Sequence, residues 1–112
     1  MTNALIQTKS KLLLSVVISN DIGTVQLEGR FTFLDQSSFE FACKNLFNNT
    51  QIKQIVVNLE NVKYIDSSAL GMLLVLRNHV RTIGKSLVLS GPNGAVLKVL
   101  NVAHFGHLFN IQ

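Results

Sequence analysis

An aspartate and two serines, Asp66-Ser67-Ser68, stand at the junction between two apolar segments. The segment before them, residues 54–59, is rich in β-branched side chains and predicts a buried strand. After them, apolar residues recur at helical spacing as far as Ile83. A serine hydroxyl at a strand-to-helix turn can act as a nucleophile or accept a phosphate, and an aspartate there can cap the helix. The sequence therefore predicts that Asp66 is the N-cap of a helix that begins with Ser67 and Ser68.

No second catalytic group accompanies these serines. Serine hydrolysis needs a base and a group that orients it, but His79, His104 and His107 all come later in the chain. His79 falls on the side of the predicted helix away from Ser67, and the Gly-x-Ser-x-Gly pattern and a glycine-rich phosphate loop are both absent. His104-x-x-His107, without a carboxylate or thiol nearby in sequence, is a weak metal signal. We therefore expect no enzymatic activity, no metal site and no cofactor.

The predicted helix over residues 66–83 has two apolar faces. One is a stripe that is typical of core packing, formed by Ala69, Met72, Leu73, Leu76, Val80 and Ile83. The opposite face carries Ser67, Leu70, Gly71, Leu74 and Asn78, flanked by Arg77 and Arg81. The core of the fold does not explain this second face. We therefore interpret it, together with Asp66, as a docking surface for a protein partner.

Composition and charge are typical of a single intracellular domain. The 112 residues contain one cysteine, Cys43, so no intramolecular disulfide can form, and we expect a structural thiol in a reducing cytoplasm. The first residues lack the features of a signal peptide, and no apolar run reaches the ~20 residues that span a bilayer. Although the net charge is +4, the lysines are scattered singly. We expect a cytoplasmic protein that neither inserts into membranes nor binds nucleic acid directly, and whose charge favours an acidic protein partner.

Strand and helix patterns alternate along the chain. A hairpin is predicted from two strands, 12–19 and 24–28, joined by turn residues 20–23, with Gly29 ending the second strand. The next predicted elements are a helix over 34–46 that starts at Asp35 or Ser37, a strand over 52–59 and a loop over 60–63. The serine helix comes next and stops at Gly84. The last predicted elements are a strand over 86–90, a helix over 96–103 and an edge strand over 108–111. Residues 1–10 form a frayed lead-in to one domain spanning 1–112. This order predicts an α/β fold with a mixed, mostly parallel sheet of about five strands and helices packed against it.

The stretch Asp66-Ser67-Ser68-Ala69-Leu70-Gly71, behind a buried strand and ahead of an apolar helix, resembles the signature of STAS domains, specifically the bacterial anti-sigma factor antagonists. The resemblance covers nearly the whole chain. It departs from the family at Ala69, where the best-known members have glycine. It also departs at residues 30–35, Arg-Phe-Thr-Phe-Leu-Asp, which replace a short acidic turn.

The resemblance implies a phosphorylation-controlled protein-binding switch. The unphosphorylated protein would bind an anti-sigma factor and free its sigma factor. A partner serine kinase would phosphorylate Ser67, with Ser68 as the second choice, and a serine phosphatase would restore the binding form. The same fold also implies two alternatives. One is an accessory subunit of a transporter ATPase, which needs no phosphorylation, and the other is a binding module for a small ligand such as a nucleotide or lipid.

Overall fold

The computed structural model describes residues 2–6 and 11–112. Its strands are β1 (Thr2–Ile6), β2 (Leu12–Ser19), β3 (Ile22–Phe31), β4 (Gln54–Ile65), β5 (Ser86–Ser90) and β6 (Asn110–Ile111). Its helices are α1 (Gln36–Phe47), α2 (Ser67–Thr82) and α3 (Gly94–Val102), with 3₁₀ turns at Phe33–Asp35 and Phe105–His107. Within these described ranges, no helix is long and apolar enough to cross a lipid bilayer.

The six strands form one sheet in the order β1-β2-β3-β4-β5-β6. The first two pairings are antiparallel, and the pairings of β3 with β4, β4 with β5 and β5 with β6 are parallel. Each parallel pairing needs a crossover connection, and α1, α2 and α3 supply the three crossovers in turn. The predicted mixed, mostly parallel α/β sheet is confirmed, with six strands in place of about five.

The core lies between one face of the sheet and the helices. Along β4 the side chains of Ile55, Val57 and Leu59 are fully buried, whereas those between them are only half-buried. This alternation shows that one face of the strand is covered, because successive side chains point to opposite faces. Phe39 of α1 and Leu73 of α2 belong to the same buried cluster, as do residues of α3. The helices therefore pack on a common face of the sheet.

The predicted lead-in over residues 1–10 contains a strand. β1 pairs with β2 in antiparallel register, with Ala4 opposite Val16 and Leu5 opposite Ser15. Its side chains are mostly exposed because it is the outermost strand, so the sequence has no alternation of apolar and polar residues there. A strand over Thr2–Ile6 was not predicted from the sequence. Residues 1 and 7–10 of the lead-in lie outside the described residues.

The β3–β4 pair extends further than the sequence indicated. Gly29 does not end β3, which continues to Phe31, and the predicted loop over residues 60–63 is part of β4. The register shifts between Gln26 and Glu28 and again between Gly29 and Arg30. Such irregularities interrupt the period-two pattern that identifies a strand, which is why these residues resembled strand ends and a loop.

Three other predicted details differ. Leu34 lies in the 3₁₀ turn and is 48% exposed, not on the buried face of a helix. Ile83 is the exposed C-cap of α2, not a core residue, while Gly84 adopts the expected left-handed conformation with φ +73°. The last strand is shorter than residues 108–111, because the amide of Phe109 still bonds the carbonyl of Phe105 in the preceding turn.

Candidate functional site

The N-terminus of α2 is held by Asp66, as the sequence predicted. Asp66 has extended backbone angles, and its Oδ1 accepts a hydrogen bond of 2.8 Å from the amide of Ala69. Its own carbonyl accepts the first helical bond, from the amide of Leu70 at 3.1 Å. One of the otherwise unpaired amides of the first turn is thereby satisfied. Ser67 and Ser68 are the first two residues of the helix, and both are exposed.

The second carboxylate oxygen of Asp66 fixes a neighbouring loop. Oδ2 accepts a hydrogen bond of 3.1 Å from the amide of Phe33, which begins the 3₁₀ turn before α1. The same turn is closed by a capping box, in which Asp35 accepts from the amide of Thr32 at 2.8 Å and the Thr32 hydroxyl accepts from the amide of Leu34 at 3.3 Å. Asp35 is fully buried. The loop beside the serines is therefore held from both ends.

The loop and the adjoining ends of β3 and β4 present side chains that the sequence interpretation missed. Phe33 is 62% exposed, Leu34 48% and Tyr64 42%, and the Arg30 guanidinium lies 4.0 Å from the centroid of the Tyr64 ring. We call Arg30, Phe33, Leu34 and Tyr64 the loop patch. Together with Thr32, Asp66 and Lys11 they line an opening of about 850 Å³. The capping-box spacing of Thr32 and Asp35 was the signal that could have revealed the turn.

The outer face of α2 is only partly free. Leu70 and Leu74 are half-buried and pack against the core, so the core explains part of the face that the sequence interpretation left unexplained. Gly71 is also half-buried. The helix is therefore better anchored than a two-faced amphipathic pattern indicated, and its two leucines offer less free surface.

The polar residues of this face are spread along the helix. Asn78 and Arg81 are exposed, whereas Arg77 is half-buried and donates from Nε to the carbonyl of Leu108 at 2.7 Å and from Nη1 to Asn78 at 3.2 Å. At 1.5 Å of rise per residue, Arg81 lies about 21 Å along the axis from Ser67. The structure therefore brings Asp66, Ser67 and the loop patch together and leaves Asn78 and Arg81 towards the far end of α2.

None of the three histidines is hydrogen-bonded to a serine of α2 among the described residues. The His79 ring stacks on Phe47 of α1, with centroids 4.0 Å apart and planes at 13°. At helical rise it is about 18 Å along α2 from Ser67. The rings of His104 and His107 are 5.9 Å apart, and no group of three or more His, Cys, Asp or Glu side chains able to hold a metal ion occurs in the part of the chain that the structure describes.

The chain is similar in sequence or in fold to several known proteins. Residues 14–112 match the STAS domain family. A STAS-domain containing protein of Pseudomonas aeruginosa is 38% identical over 89 residues, which cover 80% of this chain and 86% of that protein. An anti-sigma factor antagonist from Mycobacterium paratuberculosis has a similar structure, with a TM-score of 0.80 at 12% identity, covering 95% of this chain and 89% of that one. The Bacillus cell fate determinant SpoIIAA in its phosphorylated form gives a TM-score of 0.69 at 15% identity, covering 88% and 90% of the two chains. With the strand order, the capped serine helix and this match over most of its length, the chain belongs to the STAS domain family.

Proposed function

We propose that this protein is an anti-sigma factor antagonist whose binding to its partner is switched by phosphorylation of Ser67. The observation that carries the proposal is the exposed Ser67 at the first residue of α2, directly after an aspartate that is hydrogen-bonded to the loop patch. A kinase can reach such a hydroxyl without unfolding the chain. Two structural neighbours support the proposal at the level of the fold. One is an anti-sigma factor antagonist, and the other is SpoIIAA in its phosphorylated form.

A phosphate on Ser67 would act on binding and not on folding. It adds about 1.5 to 2 negative charges. At a helix N-terminus this charge is stabilised by about 0.3–1 kcal/mol, partly offset by the adjacent Asp66 carboxylate. In a desolvated interface that covers Phe33 and Leu34, an unmatched charge costs on the order of 2–5 kcal/mol. That is a loss of roughly 30-fold to several-thousand-fold in affinity.

The first experiment is intact-protein mass spectrometry of the protein isolated from its native cells under several growth conditions. We expect a phosphate adduct on the wild-type protein that is absent from Ser67→Ala. An adduct that persists in Ser67→Ala and disappears in Ser68→Ala would assign the switch to the other serine. No adduct under any condition would contradict the switch and favour a constitutive binding subunit, such as the transporter-ATPase accessory subunit.

Ser67→Glu tests the division between binding and folding. We expect it to weaken binding of the anti-sigma factor or kinase partner by about 30-fold or more, while the free energy of unfolding changes by less than about 0.5 kcal/mol. Ser86→Glu is the control, because it places the same charge on an exposed serine at the start of β5, at the opposite end of the parallel strands from Ser67. Calorimetric titration with the partner and urea denaturation measure the two quantities. A Ser67→Glu protein that binds like the wild type would refute the switch.

Phe33→Ala tests the loop patch as part of the interface. Burying an aromatic side chain in an interface contributes substantially to affinity, so we expect a loss of about tenfold or more. Phe41→Ala is the control, because Phe41 is similarly exposed, at 58%, and lies on α1 outside the patch. Leu74→Arg would be a poorer test of the interface, because Leu74 packs against the core and the substitution would also lower stability. If the two alanine variants lowered the affinity for the partner equally, Phe33 would not be part of the interface.

A further inference from the structure

A groove of about 590 Å³ runs between α1 and α2, with Gln36 and Ser68 in its lining near the first residues of the two helices. Its floor and walls are apolar, formed by Phe39, Cys43, Phe47, Met72, Val75 and Leu76. Its volume lies in the range of small-molecule sites, which are concave, mostly apolar and furnished with a few polar groups. Val75 on its rim is 67% exposed, so the groove opens to solvent.

Gly71 widens the groove at its middle. Glycine inside a helix destabilises it relative to alanine. Here no other part of the protein requires it, because a Cβ at Gly71 would meet nothing within 4 Å apart from the helix itself. The missing side chain therefore leaves open space over the apolar floor, at a position where the packing of the protein would accept a larger residue.

The polar groups of the groove are arranged unequally along its length. Its α1 rim carries Gln36, Glu40, Lys44 and Asn48 at intervals of four residues, which places them in one row. Gln36 donates to Glu40 at 3.1 Å, and Ser68 of α2 lines the same end. The other end holds hydrogen-bond donors from Lys44, Asn48 and His79, the last fixed by its stack on Phe47. An anionic or carbonyl head group is the ligand chemistry that such donors bind.

We propose that the α1–α2 groove binds a single-chain anionic amphiphile, a fatty-acid carboxylate, with its head at Lys44, Asn48 and His79 and its tail over Gly71. The row from Gln36 to Asn48 spans about 18 Å at helical rise, which suits an extended chain. The C-termini of α1 and α2 lie at the head-group end and disfavour an anion there, whereas the Lys44 charge and the donors of Asn48 and His79 favour one. The proposal goes beyond the Ser67 switch and does not depend on it.

The test is titration of delipidated full-length protein with sodium myristate, followed calorimetrically and by displacement of a fluorescent fatty acid. We expect saturable binding of one myristate per chain. Tetradecanol should bind more weakly, and tetradecyltrimethylammonium weakest of the three. Absence of saturable myristate binding, or tighter binding of the cationic amphiphile, would overturn the proposal.

Two substitutions with matched controls locate the ligand. Gly71→Leu fills the groove and should abolish binding, whereas Asn45→Leu adds the same side chain to an exposed position of α1 outside it and should not. Lys44→Glu should weaken myristate about tenfold and leave tetradecanol unchanged, whereas Lys98→Glu on α3 should affect neither. Thermal denaturation without ligand checks that each variant is folded. Wild-type myristate affinity in a folded Gly71→Leu protein would exclude the groove as the site.

Discussion

At the scale of single residues, Asp66 has two separate structural roles, one for each carboxylate oxygen. Oδ1 caps α2 through Ala69, and Oδ2 holds the amide of Phe33. A change at this position therefore affects both the serine helix and the loop that lies beside it. Ser67 and the loop patch keep a fixed relation because the same side chain bonds to both segments.

Asp66→Ala and Asp66→Asn should differ in stability. Loss of an N-cap costs about 0.5–2 kcal/mol, typically about 1, and Asp66→Ala also frees the Phe33 amide. Asparagine retains one carbonyl oxygen for the cap but turns an NH₂ donor toward the other amide, so we expect a smaller loss of stability from Asp66→Asn. Urea denaturation gives the free energies of unfolding. Equal losses for the two variants would mean that the cap contributes nothing beyond the contact with Phe33.

At the scale of elements, the end of β3 depends on the backbone of Gly29. Its φ of +110° is one that other residues rarely adopt, and an added Cβ would collide with the carbonyl oxygen of Lys11. Gly29 lies at the register shift that lets β3 continue to Phe31 beside the end of β4. The loop before α1 therefore begins from a strand end that only glycine accommodates.

Gly29→Ala should be clearly more destabilising than Gly84→Ala. Both glycines have positive φ, which costs about 1–2 kcal/mol for other residues, but a Cβ at Gly84 meets nothing within 4 Å. We expect about 1 kcal/mol for Gly84→Ala and at least about 2 kcal/mol for Gly29→Ala, where the clash with backbone is added. Thermal or urea denaturation of the two variants measures the stability that each loses. The difference between them gives the cost of the steric clash at Gly29, because the strain of a positive φ is common to both. Similar losses would show that the Lys11 carbonyl moves aside easily.

Elements with a regular period could be predicted from the sequence. α2 was placed within one residue because its apolar stripe follows Asp66 directly and Gly84 follows its end. Burial of Leu70 and Leu74 could not be predicted from the sequence. A helical wheel gives the angular position of each side chain around the helix axis, but it does not show which neighbouring segments cover that side chain. The loop patch was missed for a related reason. The 3₁₀ turn Phe33–Asp35 runs straight into α1, so Leu34 fits the helical period of α1 while its side chain faces solvent.

At the scale of the whole molecule, the buried Cys43 thiol makes stability depend on pH. Burial, with a smaller effect of the Glu40 carboxylate, raises the pKa of Cys43 from 9.0 to about 12. Above the pKa of the unfolded chain, the unfolded state binds fewer protons at this group than the folded state does. Its contribution to stability is therefore complete below about pH 9 and is lost as the pH rises towards 12, by up to about 1.4 kcal/mol per unit.

Cys43→Ala should flatten this dependence. Between about pH 8 and pH 10, we expect the wild-type free energy of unfolding to fall by about 1.4 kcal/mol more than that of the variant. The variant starts from a lower stability because it loses a buried sulfur atom, so the comparison concerns the slopes and not the absolute values. Urea denaturation at both pH values gives the slopes. If the free energies of unfolding of the wild type and the variant changed in parallel with pH, the thiol would ionise equally in the folded and unfolded states.

The agreement between strand order and chain order bears on how the protein forms during synthesis. No later strand has to insert between two that are already paired, because each one joins the free edge left by its predecessor. A chain that leaves the ribosome N-terminus first can therefore assemble its sheet in the direction of translation, starting from the β2–β3 hairpin, whose closure spans few residues. Asn110–Ile111 emerges last and pairs with β5, which makes it the final strand of the sheet.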